Sequence, residues 1–230
     1  MCPSMKFFYF WLKEEANMKG LLLDSFYKTV NGMKILLFLL IIIGAVIIAF
    51  SDDAFIVQAY IIAVFLSISV YALISIRKDA ESKWSRYEII LPVRRNTIIL
   101  SKFISFLLWV LVSVFMAVLF IGAAVIVKGN LYFDFGLRDI VTIVVISVSL
   151  ALQIGSVFYM GLYLFGLDKT DILMILSVIV SVGLIGLLVG IINRNRVSIE
   201  TGRFIVFFTA LLFFGVSYNI TKYLYKKSEF

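Results

Sequence analysis

The chain of 230 residues has no histidine, one cysteine and two prolines. Without imidazole it lacks the commonest metal ligand and general base. Cys2 lies near the chain end and has no second thiol, so no disulfide forms within one chain. Charge is scarce too. Asp, Glu, Lys and Arg make up 15% of the residues, against about a quarter in soluble domains. No Gly-x-x-x-x-Gly-Lys-Ser/Thr segment occurs, so the chain does not bind ATP as a P-loop protein. No Asp-Glu pair follows a hydrophobic strand, as an ATPase would require.

What is abundant is apolar surface. The chain is 63% hydrophobic, with a mean hydropathy of +1.09. This surface falls into six runs: Ile35–Phe50, Phe55–Ile76, Ile98–Val127, Ile140–Phe165, Ile172–Ile192 and Phe204–Tyr223. Each approaches or exceeds the length that crosses roughly 30 Å of hydrocarbon as a helix. The first is the shortest, and Met33 and Lys34 extend it by snorkelling. The runs are continuously apolar rather than alternating, which argues against a β-barrel. The expected fold is an all-α integral membrane protein with six transmembrane helices.

Lys and Arg orient the spans, because cytoplasmic loops carry their excess. Alternation places Lys6, Lys13, Lys19, Lys28 and Lys34 on one side. With them fall the basic residues of the second connection, Lys169 and the C-terminal Lys222, Lys226 and Lys227. The other side receives Lys128, Arg138, Arg194, Arg196 and Arg203, together with Asp52 and Asp53. The balance is 16 basic residues against 5. Both termini are therefore expected in the cytoplasm. The three arginines between Asn193 and Arg203 oppose the rule. They fit outer headgroups, an acidic partner or a wet loop. The net charge of +7 is spread over loops and forms no basic domain, so nucleic acid is not an expected partner.

Residues 1–32 read as a cytoplasmic and interfacial segment. They do not follow the pattern of a secretory signal peptide. Leu22, Leu23, Phe26, Tyr27 and Val30 share one helical stripe, with Asp24 and Lys28 elsewhere. That pattern predicts an amphipathic helix in the inner headgroup layer. Asn31-Gly32 then predicts a turn into the first span. Residues 1–17 also read as an extension upstream of an alternative start at Met18. Residues 33–224 form the six-helix domain, and 225–230 a cytoplasmic tail.

The connection at 77–97 is the sizeable internal polar segment. Trp84, Tyr87, Glu88 and Leu91 recur at helical spacing, flanked by Glu81, Lys83 and Arg86. A short surface helix over Glu81–Leu91 is expected. Pro92 ends it, having no amide hydrogen and disfavouring a helical residue before it. Asn96 or Thr97 then caps the third span. From spacing alone, this segment is either a docking element or an interfacial anchor.

The stretch from Lys78 to Phe103 resembles the signature of small ABC-2 type permeases, including exporters of phenol-soluble modulins and related amphipathic peptides. Asp79 and Glu81, Trp84 and Tyr87, Leu91-Pro92, Arg94 and Arg95, and Lys102 carry the resemblance. Met18-Lys-Gly-Leu-Leu-Leu-Asp-Ser-Phe-Tyr also resembles the start of such proteins. The resemblance implies a coupling helix at Glu81, Trp84, Arg86, Tyr87, Glu88 and Leu91, with Pro92 and Arg94 at its exit. It further implies a separate ABC ATPase subunit that holds ATP and magnesium, and a second permease copy or paralogue. A bacterial cytoplasmic membrane and an exported hydrophobic or amphipathic peptide, antimicrobial peptides included, are implied likewise. On this view the chain binds no cofactor or metal and performs no covalent chemistry.

Other readings are weaker in residues. Glu14-Glu15 is similar to the acidic pair of intramembrane CAAX-type proteases, but their histidines are absent. Ion-coupled transport favours an ionisable group near midplane, and the runs offer none. Their candidate pathway residues are Gln58, Tyr60, Ser67, Tyr71, Gln153, Tyr159 and Tyr163. Packing between helices is the plainer role for such groups. Gly183, Gly186 and Gly190 in the fifth span are placed to allow close helix approach within the bundle or at a subunit interface. An ATP-independent immunity or stress-sensing membrane protein is the alternative function.

Overall fold

The computed structural model describes residues 3–81, 95–129, 136–166 and 169–227. Six helices account for nearly all of them: α1 Pro3–Phe50, α2 Ala54–Glu81, α3 Arg95–Lys128, α4 Leu137–Phe165, α5 Thr170–Arg194 and α6 Ile199–Lys227. The one proline among the described residues, Pro3, stands at the first position of α1, and an apolar surround leaves the backbone no partner but itself. Each helix contains a segment long and apolar enough to cross a membrane. The six spans coincide with the six apolar runs, and no strand occurs among the described residues.

Polar side chains and one glycine set the helix ends. Asp53 Oδ1 accepts the Phe55 amide at 2.9 Å and opens α2. Ser198 Oγ accepts the Thr201 amide at 3.3 Å and opens α6. Gly166 closes α4 with φ of 88° and donates its amide to Leu162 O at 3.0 Å. An L side chain there would be strained.

Two local expectations are corrected. The turn at Asn31-Gly32 is absent, and α1 runs unbroken through it. Gly32 serves a close approach instead: the Tyr71 hydroxyl of α2 occupies the place where a Cβ would stand. The amphipathic stripe therefore continues into the first span rather than turning away as a separate element. Asn96 and Thr97 lie inside α3, not ahead of it. Asn96 Oδ1 is buried without a partner, so it is not the cap. The coupling helix expected at Glu81–Leu91 falls almost wholly outside the described residues; Glu81 itself closes α2.

Helix α4 is the axis of the bundle. It packs most extensively on α6, then on α5 and α2, and more lightly on α3. Its segment from Leu150 to Ser156 is buried on every side. α1, α2 and α3 pack on one another. The outer faces carry exposed aliphatics, such as Ile172, Ile175, Ile179 and Leu187 on α5. That is the surface a lipid-solvated helix presents.

Alternation of the helices brings residues 51–53, the end of α3, the start of α4 and residues 195–198 to one end of the bundle. The starts of α1, α3 and α5 and the ends of α2, α4 and α6 lie at the other. At the first end Lys128 Nζ meets Asp52 Oδ1 at 2.6 Å, and Arg203 Nη1 donates to Arg138 O at 3.4 Å.

Candidate functional site

α3 begins at Arg95, immediately after the polar connection, and two turns later it enters an aromatic junction. Phe103 stacks on Tyr159 of α4, with centroids 4.3 Å apart and planes 23° off parallel. It also meets Phe214 and Tyr218 of α6 edge-on, at 5.2 and 5.3 Å. Tyr159 donates its hydroxyl to Lys102 O at 3.0 Å, which gives a buried phenol the partner it needs. One turn on, Phe106 lies against Gly155, so closely that any Cβ there would overlap its ring. It meets Tyr159 edge-on at 6.1 Å. Ser217 Oγ of α6 donates to Ser156 O of α4 at 2.8 Å. The beginning of α3 is thus packed directly on α4 and α6.

A second set of contacts fastens α1. Tyr60 of α2 donates its hydroxyl to Leu40 O, packs on Phe120 with centroids 4.5 Å apart, and faces Gly44. Tyr71, about three turns further along α2, faces Gly32. Phe26 of α1 stacks on Trp109 of α3 at 5.0 Å and 15°. Thr29 and Met33 are buried beside it in sequence.

The candidate pathway residues thus separate into different environments. Tyr60 and Tyr71 sit between α1 and its neighbours. Tyr159 sits at the α3–α4–α6 junction, and Tyr163 is half-buried on α4. Gln58 and Ser67 are half-buried on α2. Gln153 is 3% exposed at the middle of α4, and its Oε1 has no hydrogen-bond donor. Ser69, Ser147 and Ser181 also keep unpartnered hydroxyls in the bundle. Ser101, Ser113, Ser149, Ser156 and Ser177, by contrast, bond back to their own helices.

Of the coupling candidates, Trp84, Arg86, Tyr87, Glu88, Leu91, Pro92 and Arg94 lie outside the described residues. Phe103, Phe106, Trp109, Phe214 and Tyr218 are contacts that the sequence reading missed. Their signal was present: Phe103 and Phe106 at i,i+3, and Phe214 and Tyr218 at i,i+4, each mark one helix face. Among the described residues, no group of three or more His, Cys, Asp or Glu comes together as a metal site.

Six apolar helices packed by aromatics and small residues define a polytopic membrane protein. The model of the ABC-2 family of transporter proteins matches residues 20–226, and the chain belongs to that family. ABC-2 permeases are membrane subunits that work with a partner ATPase. No curated protein and no solved structure matches the chain.

Proposed function

We propose that the chain is the permease subunit of an ATP-driven exporter of hydrophobic or amphipathic peptides. A separate ATPase docks on the 77–97 connection, and a second permease copy or paralogue completes the assembly. Both termini and the connection face the cytoplasm of a bacterial cell, in keeping with the lysine-rich end of the bundle. The observation that carries this reading is the continuity from Arg95 through Phe103 to Tyr159. A push delivered at the connection reaches the central helix within about two turns of α3. The exported peptide class rests on the resemblance of residues 78–103 to amphipathic-peptide exporters.

The test is ATP hydrolysis by the cognate ATPase in lipid vesicles, with and without this chain. Trp84→Ala and Glu88→Ala are included, together with a panel of amphipathic peptides. Hydrolysis that depends on the permease, falls in both variants and rises with a peptide supports the reading. If a verified cognate ATPase neither associates nor changes its rate, coupling is refuted and the ATP-independent immunity function takes its place.

A further inference from the structure

The end of the bundle opposite the termini is unusual in its choice of cation. Four of the chain's eight arginines, Arg138, Arg194, Arg196 and Arg203, belong to it, but only Lys128 of its thirteen lysines. The other end carries the remaining twelve lysines with four arginines, Arg77, Arg86, Arg94 and Arg95, so lysine prevails there and arginine here. Arginine differs from lysine in presenting a planar fork of donors that matches phosphate oxygens in pairs.

The fold gathers these arginines at one corner. Arg194 is the last residue of α5, and Arg196 stands in the turn to α6. Arg203, one turn into α6, reaches across to Arg138 O at the start of α4, and its Nη2 lies 4.0 Å from Glu200. Arg203 thereby holds the corner together. The side chains of Arg138, Arg194 and Arg196 are exposed, and no acidic group is paired with them among the described residues. Among the described residues, Asp139 and Glu200 are the acids of this corner. Arg196 has a φ of 51°, a conformation in which glycine or asparagine is the ordinary occupant.

The neighbours of these arginines are apolar and uncovered. Leu137, Ile191 and Ile199 are 79%, 57% and 54% exposed. Guanidinium groups immediately above exposed aliphatics stand at the level where hydrocarbon gives way to phosphate. A soluble acidic partner would meet the charge but not those aliphatics, which stand at the level of the hydrocarbon. A phospholipid covers both.

We infer that Arg138, Arg194 and Arg196 form a binding site for an anionic phospholipid, with their guanidinium groups on its phosphate and Leu137, Ile191 and Ile199 along its upper acyl chains. This holds whatever the chain transports, and requires only that it sits in a bilayer.

Native mass spectrometry of the purified protein, loaded with phosphatidylglycerol or with phosphatidylcholine of the same acyl chains, tests the site. The wild-type chain is expected to retain phosphatidylglycerol selectively. The variant R138Q/R194Q/R196Q is expected to lose that affinity by about fivefold per arginine. K34Q/K78Q/K222Q, at the opposite end, keeps the selective lipid, and millimolar inorganic phosphate does not displace it. The inference is overturned if the arginine variant retains the lipid as wild type does, or if the lysine variant loses as much. Equal retention of phosphatidylcholine also refutes it, and displacement by inorganic phosphate would reassign the corner to a free anion.

Discussion

Gly32 of α1 and Tyr71 of α2 meet so closely that the tyrosine oxygen fills the space of a missing Cβ. About three turns away, Gly44 and Tyr60 repeat the arrangement, where an added Cβ would lie 2.9 Å from the hydroxyl. The two pairs run in opposite order along antiparallel helices and fix their register.

Gly32→Ala is expected to destabilise the bundle by about 1–3 kcal/mol, the usual cost of overpacking a tight contact. Gly32→Ala with Tyr71→Phe recovers part of the loss, because the oxygen in the way is gone. Thermal unfolding in detergent of the two single variants and the double variant measures the coupling. Strict additivity would refute the contact.

Tyr159→Phe keeps the stack on Phe103 but removes the hydrogen bond to Lys102 O. A loss of about 1 kcal/mol is expected. Phe103→Ala removes the centre of the junction and should cost about 3–5 kcal/mol. If α3 drives α4 through this junction, Tyr159→Phe and Phe103→Leu also lower permease-dependent ATP hydrolysis while still inserting in the membrane. Unchanged hydrolysis in both would remove the junction from the coupling route.

Gln153→Leu exchanges an unpartnered buried acceptor for a hydrocarbon of similar length. Relief of an unsatisfied group is worth about 1–3 kcal/mol, so thermal stability should rise. A rise accompanied by loss of export would assign Gln153 to the transport route. A fall in stability would mean that its amide already has a partner.

The Lys128–Asp52 pair is half in water, with Asp52 side-chain exposure of 77%. Asp52→Asn should therefore change stability by less than about 1 kcal/mol, and the change should shrink as salt is raised. The charge swap Asp52→Lys with Lys128→Asp should return the unfolding temperature to the wild-type value. A large, salt-independent loss would indicate that the pair is shielded.

The six spans were legible because lipid demands long uninterrupted apolar runs, and charged breaks separate them. The register between spans was not. Tyr60 and Tyr71 read as polar lining until α1 is laid beside α2, whereupon each faces a glycine. Asn31-Gly32 is a turn signal in water. Inside an otherwise continuous helix, glycine costs only about 1 kcal/mol, and the contact with Tyr71 offsets it. Arg194, Arg196 and Arg203 were legible as a departure from the charge rule, but Arg138 joins them only because Arg203 reaches α4, a tertiary contact with no sequence pattern of its own.

The unbroken course of α1 makes it a lever. From Phe26, where α1 stacks on Trp109, to Pro3 the helix extends roughly 35 Å at about 1.5 Å per residue. With α1 gripped at Phe26, Gly32 and Gly44, a tilt of about 5° at the grip sweeps the far end through roughly 3 Å by the same geometry. Rotations too small to disturb the packing inside the bilayer thus become displacements of atomic size at the amino-terminal end, where an attached probe would register them first.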